Sequence, residues 1–159
     1  MSEQSSLDSN PRRCLGIDYG RARIGLALSD SLGVSAQPLG VLERKNDLQA
    51  AEEIRALVQK HEVGRLVVGM PRNMDGSYGP QAQMTQDFMD LLEEQLSSLD
   101  DSVELTPWDE RLTTMQAERV MIEAGVTRTG RKKKVDQVAA TILLQNYLDF
   151  LHNQRASSE

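Results

Sequence analysis

The chain has 159 residues, enough for one domain that buries about two-thirds of its unfolded surface and holds a core without disulfides or a structural metal. Its composition, 39% hydrophobic and 26% charged, is that of an ordinary soluble globular protein; a single cysteine, Cys14, excludes an internal disulfide and a cysteine-built zinc site, and no apolar run approaches the ~20 residues of a membrane span. The formal net charge of −6 argues, as an average, against a polyanionic partner.

Met1 to Asn10 is polar, without a basic residue or an apolar centre, and reads as a disordered leader over residues 1–10, not a signal peptide. Residues 12–18 predict a first strand, Tyr19 to Arg23 a turn around Gly20, and residues 24–29 a second strand, close enough for an antiparallel hairpin. Residues 38–43 predict a third strand after the turn signals Gly33 and Pro38. Asn46 to His61 sets Ile54, Leu57, Val58 and His61 on one helical face. Arg65 to Met70, with Leu66, Val67 and Val68 consecutive, fits a strand buried on both faces, as in parallel sheets. Pro71 to Pro80 is a loop with a turn at Asp75-Gly76. Gln81 to Leu96 is an amphipathic helix with Met84, Phe88, Leu91 and Leu92 on one face, and Val103 to Pro107 is a further strand. Thr113 and Gln116 form a capping box for a helix with the apolar stripe Ala117, Val120, Met121 and Ala124, ended by Gly125. Thr127 to Lys134 reads as a basic loop, about Val135 to Leu151 as the last helix, and residues 154–159 as a disordered tail. Three strands followed by alternating units predict an α/β fold, a mixed five-stranded sheet flanked by helices, in one domain over residues 11–153.

Three acids stand at the ends of these elements. Asp18 closes the first strand beside Gly20, where an α/β sheet collects its chemistry, although Asp also initiates turns. Glu110 follows the last strand just before a capped helix, where a capping role would suffice. Asp136 falls in the first turn of the predicted last helix, where capping would again suffice, and shares one helical face with Ala140, Leu143 and Tyr147, at the end of that packed face. Three carboxylates at one sheet edge repel each other, and a magnesium or manganese ion removes that repulsion, being a hard cation that takes oxygen ligands. Two such ions ~3.5–4 Å apart serve phosphodiester cleavage. No His, Cys or Ser arrangement competes. His61 and His152 are isolated, and Cys14, mid-strand, reads as a small core residue whose lone thiol suits a reducing cytoplasm.

The chain resembles the YqgF family of bacterial proteins, also called Holliday junction resolvase-like proteins or pre-16S ribosomal RNA nucleases. The matching stretches are Gly16-Ile17-Asp18-Tyr19-Gly20 with Arg23-Ile24-Gly25 and Ser29-Asp30, then Val67-Val68-Gly69-Met70-Pro71 with Asn73-Met74-Asp75-Gly76, then Trp108-Asp109-Glu110-Arg111-Leu112-Thr113-Thr114, and last Lys134-Val135-Asp136-Gln137-Val138-Ala139-Ala140 with Ile142-Leu143-Leu144-Gln145. Four motifs in order, over about residues 13–151, make the resemblance specific. It implies an RNase H-like fold, Asp18, Glu110 and Asp136 as catalytic acids that bind Mg2+ or Mn2+, and a role in maturing the 5′ end of pre-16S ribosomal RNA. Cleavage of branched DNA at Holliday junctions is a weaker implication. Many RNase H-like nucleases carry a fourth acid near the last; here Gln137 and Thr141 follow Asp136, with no further acid until Asp149, so a second metal is expected to need substrate phosphate to complete its shell.

The charge is not evenly spread. Residues 42–104 hold six basic and thirteen acidic residues, whereas residues 111–134 hold seven basic and two acidic ones. Lys132, Lys133 and Lys134 lie directly before Asp136, Arg111 directly after Glu110, and Arg21 and Arg23 just after Asp18, the footprint of a phosphate-binding edge on an acidic body. Asn73 lies in a polar loop from which it could contact substrate. With aromatic content at 4%, and Trp108 and Tyr19 as the aromatics close to the motifs, backbone recognition should dominate over base stacking. The expected partner is nucleic acid, with no membrane, for a cytoplasmic monomer or homodimer; a junction resolvase would need the dimer. A non-catalytic nucleic-acid or transcription-associated binding module is the alternative of a different class. Nucleotide binding in the manner of actin-like ATPases needs two such domains, and no G-x-x-x-x-G-K or G-x-G-x-x-G segment is present.

Overall fold

A computed structural model describes residues 12–71, 75–99, 102–109 and 128–158, with side chains in the last helix described over residues 137–154. The elements are β1 (Arg13–Tyr19), β2 (Arg23–Ser29), β3 (Ala36–Glu43), α1 (Asp47–Lys60), β4 (Val63–Met70), α2 (Pro80–Leu96), β5 (Glu104–Asp109) and α3 (Arg128–Ser158). The expected leader 1–10 and the expected helix from Thr113 to Gly125 lie outside the described residues.

The strands form one five-stranded sheet in the order β3-β2-β1-β4-β5. β1, β2 and β3 pair antiparallel, and β4 joins β1, and β5 joins β4, in parallel. The parallel centre is buried on both faces. Leu15, Ile17, Tyr19, Leu66, Val68 and Met70 face α1 and α2, whereas Cys14, Val67 and Ala27 face α3. This two-sided cover is why β1 and β4 read as near-continuous apolar runs, without alternation.

Local chemistry explains the helix ends. The Asn46 side chain accepts the Gln49 backbone N–H at 2.7 Å and caps α1, which buries Ala50, Ala51, Ile54 and Val58. Pro80 opens α2, where its missing N–H costs nothing, and the helix buries Ala82, Thr85, Phe88, Met89, Leu92 and Leu96. The buried Thr85 hydroxyl donates to the Gln81 carbonyl at 3.0 Å, so it carries no desolvation penalty.

Three expectations are corrected. The basic stretch expected as a loop is helical over residues 128–134, because α3 begins at Arg128 and takes Lys132, Lys133 and Lys134 into its first turns. Arg and Lys are strong helix formers, and Gly130 alone, at a cost of about 1 kcal/mol, does not break a helix of 31 residues. The helix also continues through residues 154–158, where the sequence predicts a disordered tail. β5 likewise runs through Pro107 to Asp109, which an edge strand tolerates.

Candidate active site at the carboxyl ends of the strands

Asp18 lies half-buried near the carboxyl end of β1, on the face covered by α3. Glycines flank it on that face. Gly25 stands directly opposite on β2, and Gly69 on β4 lies one residue beyond the Ile17–Val68 pair. No β-carbon therefore crowds the carboxylate from either neighbouring strand. Two residues back along β1, Gly16 is where α3 touches the sheet. A β-carbon there would lie 2.9 Å from Leu144 Cβ and 3.2 Å from the Ala140 carbonyl oxygen. The direction of α3 follows from a second contact. Tyr147 accepts a 2.5 Å hydrogen bond from Arg65, which pairs with Cys14 at the start of β1. The helix thus runs antiparallel to β1, and residue 136, one turn before Ala140, belongs to the end of the helix nearer Asp18. The Asp136 side chain, like the whole of Glu110, lies outside what is described. Glu110 directly follows β5, whose end at Asp109 pairs with Met70 at the same sheet edge. Among the described residues no group of three or more His, Cys, Asp or Glu side chains is placed to hold a metal ion.

The cations divide in the same way. Arg21 is exposed in the β1–β2 turn, and its Nε donates to Gln81 Oε1 at 3.5 Å, in the first turn of α2. Arg23 begins β2 on the Asp18 face, two residues before Gly25, and pairs in register with Glu43 of β3. Lys132, Lys133 and Lys134 lie in the early turns of α3, with side chains not described, and Asn73 and Arg111 lie outside the described residues.

Neither aromatic near the motifs is a stacking platform. Tyr19 is buried, lies stacked on Phe88 at 4.6 Å, and donates its hydroxyl to Asp47 Oδ1 at 2.9 Å. Burial, and then the Asp47 carboxylate, push its phenol up to about 12. Trp108 packs edge-on against Tyr147 at 5.3 Å and against Phe150 at 5.2 Å, anchoring β5 to α3. Sequence reasoning passed over Arg44 and Asp47, which sit behind the Asp18 strand. Arg44 Nε donates to Asp47 Oδ1 at 2.7 Å, its guanidinium lies 4.9 Å from the centre of the Tyr19 ring, and the pair with Asp47 holds it more firmly cationic than usual. Read along the chain, Arg44 and Asp47 look like an ordinary solvated helix entry, and no local signal marks them.

The family model RuvX, described as Holliday junction resolvase, matches residues 12–150. A protein of Halothermothrix orenii named "Putative pre-16S rRNA nuclease" is 51% identical over 138 residues, covering 87% of this chain and 95% of its own length. A Clostridium botulinum protein of the same name is 47% identical over 139 residues, covering 87% and 98%. Among solved structures, Thermus thermophilus RuvC in complex with a Holliday junction substrate aligns with a TM-score of 0.55 at 12% identity, covering 89% of this chain and 96% of that one. The fowlpox virus Holliday junction resolvase aligns with a TM-score of 0.52 at 12% identity, covering 87% and 99%. At such identities the structures speak for the fold, which is RNase H-like.

Proposed function

The chain belongs to the RuvX family, and from that membership and the geometry of the Asp18 edge we propose that it is a metal-dependent nuclease whose substrate is the 5′ leader of pre-16S ribosomal RNA. It is a hydrolase of phosphodiester bonds. One observation carries the site: the close contact of α3 with Gly16, with the helix antiparallel to β1, turns the residue 136 end of α3 toward Asp18.

Asp18, Glu110 and Asp136 would hold Mg2+ or Mn2+. The donor set is all carboxylate oxygen, which suits a hard divalent cation, and the strand positions beside Asp18 are the glycines Gly25 and Gly69. When bound, the metal supplies the positive charge that displacement at a phosphodiester needs. The chain's own part is to place the backbone. Arg21 and Arg23, at the edge next to Asp18, and Arg111, Lys132, Lys133 and Lys134 draw in and neutralise phosphates, while the acidic remainder repels strands not docked there. Asn73 is assigned a contact to the sugar-phosphate backbone from the loop after β4. The setting proposed is the cytoplasm, where precursor ribosomal RNA is met. A second reading, cleavage of four-way DNA junctions, draws on the description of the family model.

A cleavage assay decides between them. The full chain is incubated with a pre-16S leader RNA and with a four-way DNA junction, with and without Mg2+ or Mn2+. The expected result is cation-dependent cleavage of the RNA with an inert junction, abolished in Asp18→Asn with an unchanged melting midpoint. Junction cleavage with inert RNA reverses the assignment, and full activity in Asp18→Asn refutes the site.

A further inference from the structure

We propose that Arg44 is a positioning residue for the active-site edge: it clamps the turn that follows Asp18 and so fixes both the Asp18 carboxylate and the outward reach of Arg21. The proposal rests on the reading of Asp18 as a metal ligand. Arg44 lies just past the end of β3, and everything it grips lies on or beside the stretch from Tyr19 to Ala22. Its Nη1 donates to the Arg21 carbonyl at 2.6 Å, and its backbone N–H donates to the Ala22 carbonyl at 2.9 Å. Its guanidinium lies against the ring of Tyr19, the residue directly after Asp18. Asp47, in the first turn of α1, completes the clamp by accepting from both Arg44 Nε and the Tyr19 hydroxyl.

The turn itself has little slack. The Gly20 N–H donates to the Arg23 carbonyl at 2.9 Å, and a β-carbon on Gly20 would lie 2.6 Å from that oxygen. A turn this tight transmits any shift of the Arg21 carbonyl to the strand on either side. Side chains alternate along β1, so Tyr19 points to the α1–α2 face and Asp18 to the α3 face. Arg44 and Asp47 therefore hold Asp18 from behind the sheet, without touching the face on which a metal or a phosphate would sit. Arg21 is held by its carbonyl, which leaves its side chain directed to the α2 end of the edge, where Gln81 receives it.

The planar guanidinium matters because one group must bind a carboxylate and a carbonyl at the same time while lying against a ring. An ammonium is a point charge on a flexible stem and does not reproduce that fork. Partners that orient metal ligands from behind carry tenfold to hundredfold effects on metal affinity. A purely structural arginine would show a loss of stability with no such effect. Arg65 supplies the comparison. It is also partly buried and also bound to a tyrosine hydroxyl and a carboxylate, those of Tyr147 and Glu104, but it lies at the opposite end of the sheet.

The test is calorimetric titration of Mn2+ alone into the full chain, with urea denaturation of each variant alongside. Asp18→Asn is expected to lose Mn2+ binding. Arg44→Met is expected to weaken it by about tenfold to a hundredfold and Arg44→Lys by a smaller factor. Arg65→Met is expected to lose comparable stability with unchanged Mn2+ affinity. Hydrogen exchange without metal should quicken at the Gly20 amide in Arg44→Met and stay unchanged in Arg65→Met. If Arg44→Met and Arg65→Met alter Mn2+ affinity equally, or neither alters it, while Asp18→Asn abolishes binding, the positioning role is overturned and the metal reading stands. If Asp18→Asn binds Mn2+ like the parent chain, the metal reading fails first and takes the Arg44 role with it. Should Arg44→Met not fold, the same comparison between Arg44→Lys and Arg65→Met decides.

Discussion

Gly16 is the point at which sheet and helix meet, and Gly16→Ala probes the contact on which the site depends. The added β-carbon would lie 2.9 Å from Leu144 Cβ, whereas carbon atoms rest at about 3.5–4.0 Å. Leu144 Cβ is fixed to the helix backbone, so no rotamer relieves the overlap and α3 must retreat by roughly 0.6–1 Å. Overpacking of this kind costs about 1–3 kcal/mol. Against it stands the roughly 0.5–1 kcal/mol that alanine regains over glycine inside a strand. The net is a loss centred near ~1 kcal/mol, or about 2–4 °C in the melting midpoint of a chain this size. Urea denaturation followed by circular dichroism measures it, with Gly40→Ala in β3 as the control. That position has no atom within 4 Å of an added β-carbon, so the variant keeps the backbone gain without the clash. The same retreat would draw residue 136 away from Asp18, so Mn2+ affinity should fall in Gly16→Ala and hold in Gly40→Ala. A Gly16→Ala protein as stable as Gly40→Ala would refute the docking of α3 on β1.

Asn46→Ala removes the cap of α1 and should cost about 1 kcal/mol in urea denaturation, with cleavage activity unchanged; no loss of stability would show that the 2.7 Å bond to the Gln49 amide does not persist in solution. Backbone N–H groups, that of Val34 first, hold the Asp30 carboxyl below its ordinary 3.8. A depressed native value contributes stability that is present above that ordinary value and lost as pH falls through the native one, so Asp30→Asn should flatten the drop in urea midpoint below about pH 4, and an unchanged drop would count against these bonds. Cys14 is buried, and burial pushes its thiol up, so iodoacetamide should label it only as fast as the chain unfolds. Rapid labelling in native buffer would contradict its place beneath α3.

The sequence by itself determined the order of the elements among the described residues, the two-faced burial of β4 and the strand-end position of Asp18. Each depends on neighbours in the chain: a run of apolar residues, a glycine after an acid, an apolar stripe at helical spacing. The basic stretch was misjudged over residues 128–134 because charge density suggested a solvated loop, while the backbone preference of Arg and Lys is helical. Whether Tyr19 is buried or exposed is not legible in the sequence, because it depends on Phe88, Asp47 and Arg44, none of them near it in sequence. Only the tertiary structure decided which face of β1 carries Asp18, that glycines stand on both sides of it, that α3 runs antiparallel to β1 through its contact at Gly16, and that Arg44 grips the turn behind. All four arise from strand register and helix docking. Register is set by how pairs of elements bury apolar surface against each other, and a one-residue slip would turn Asp18 to the other face.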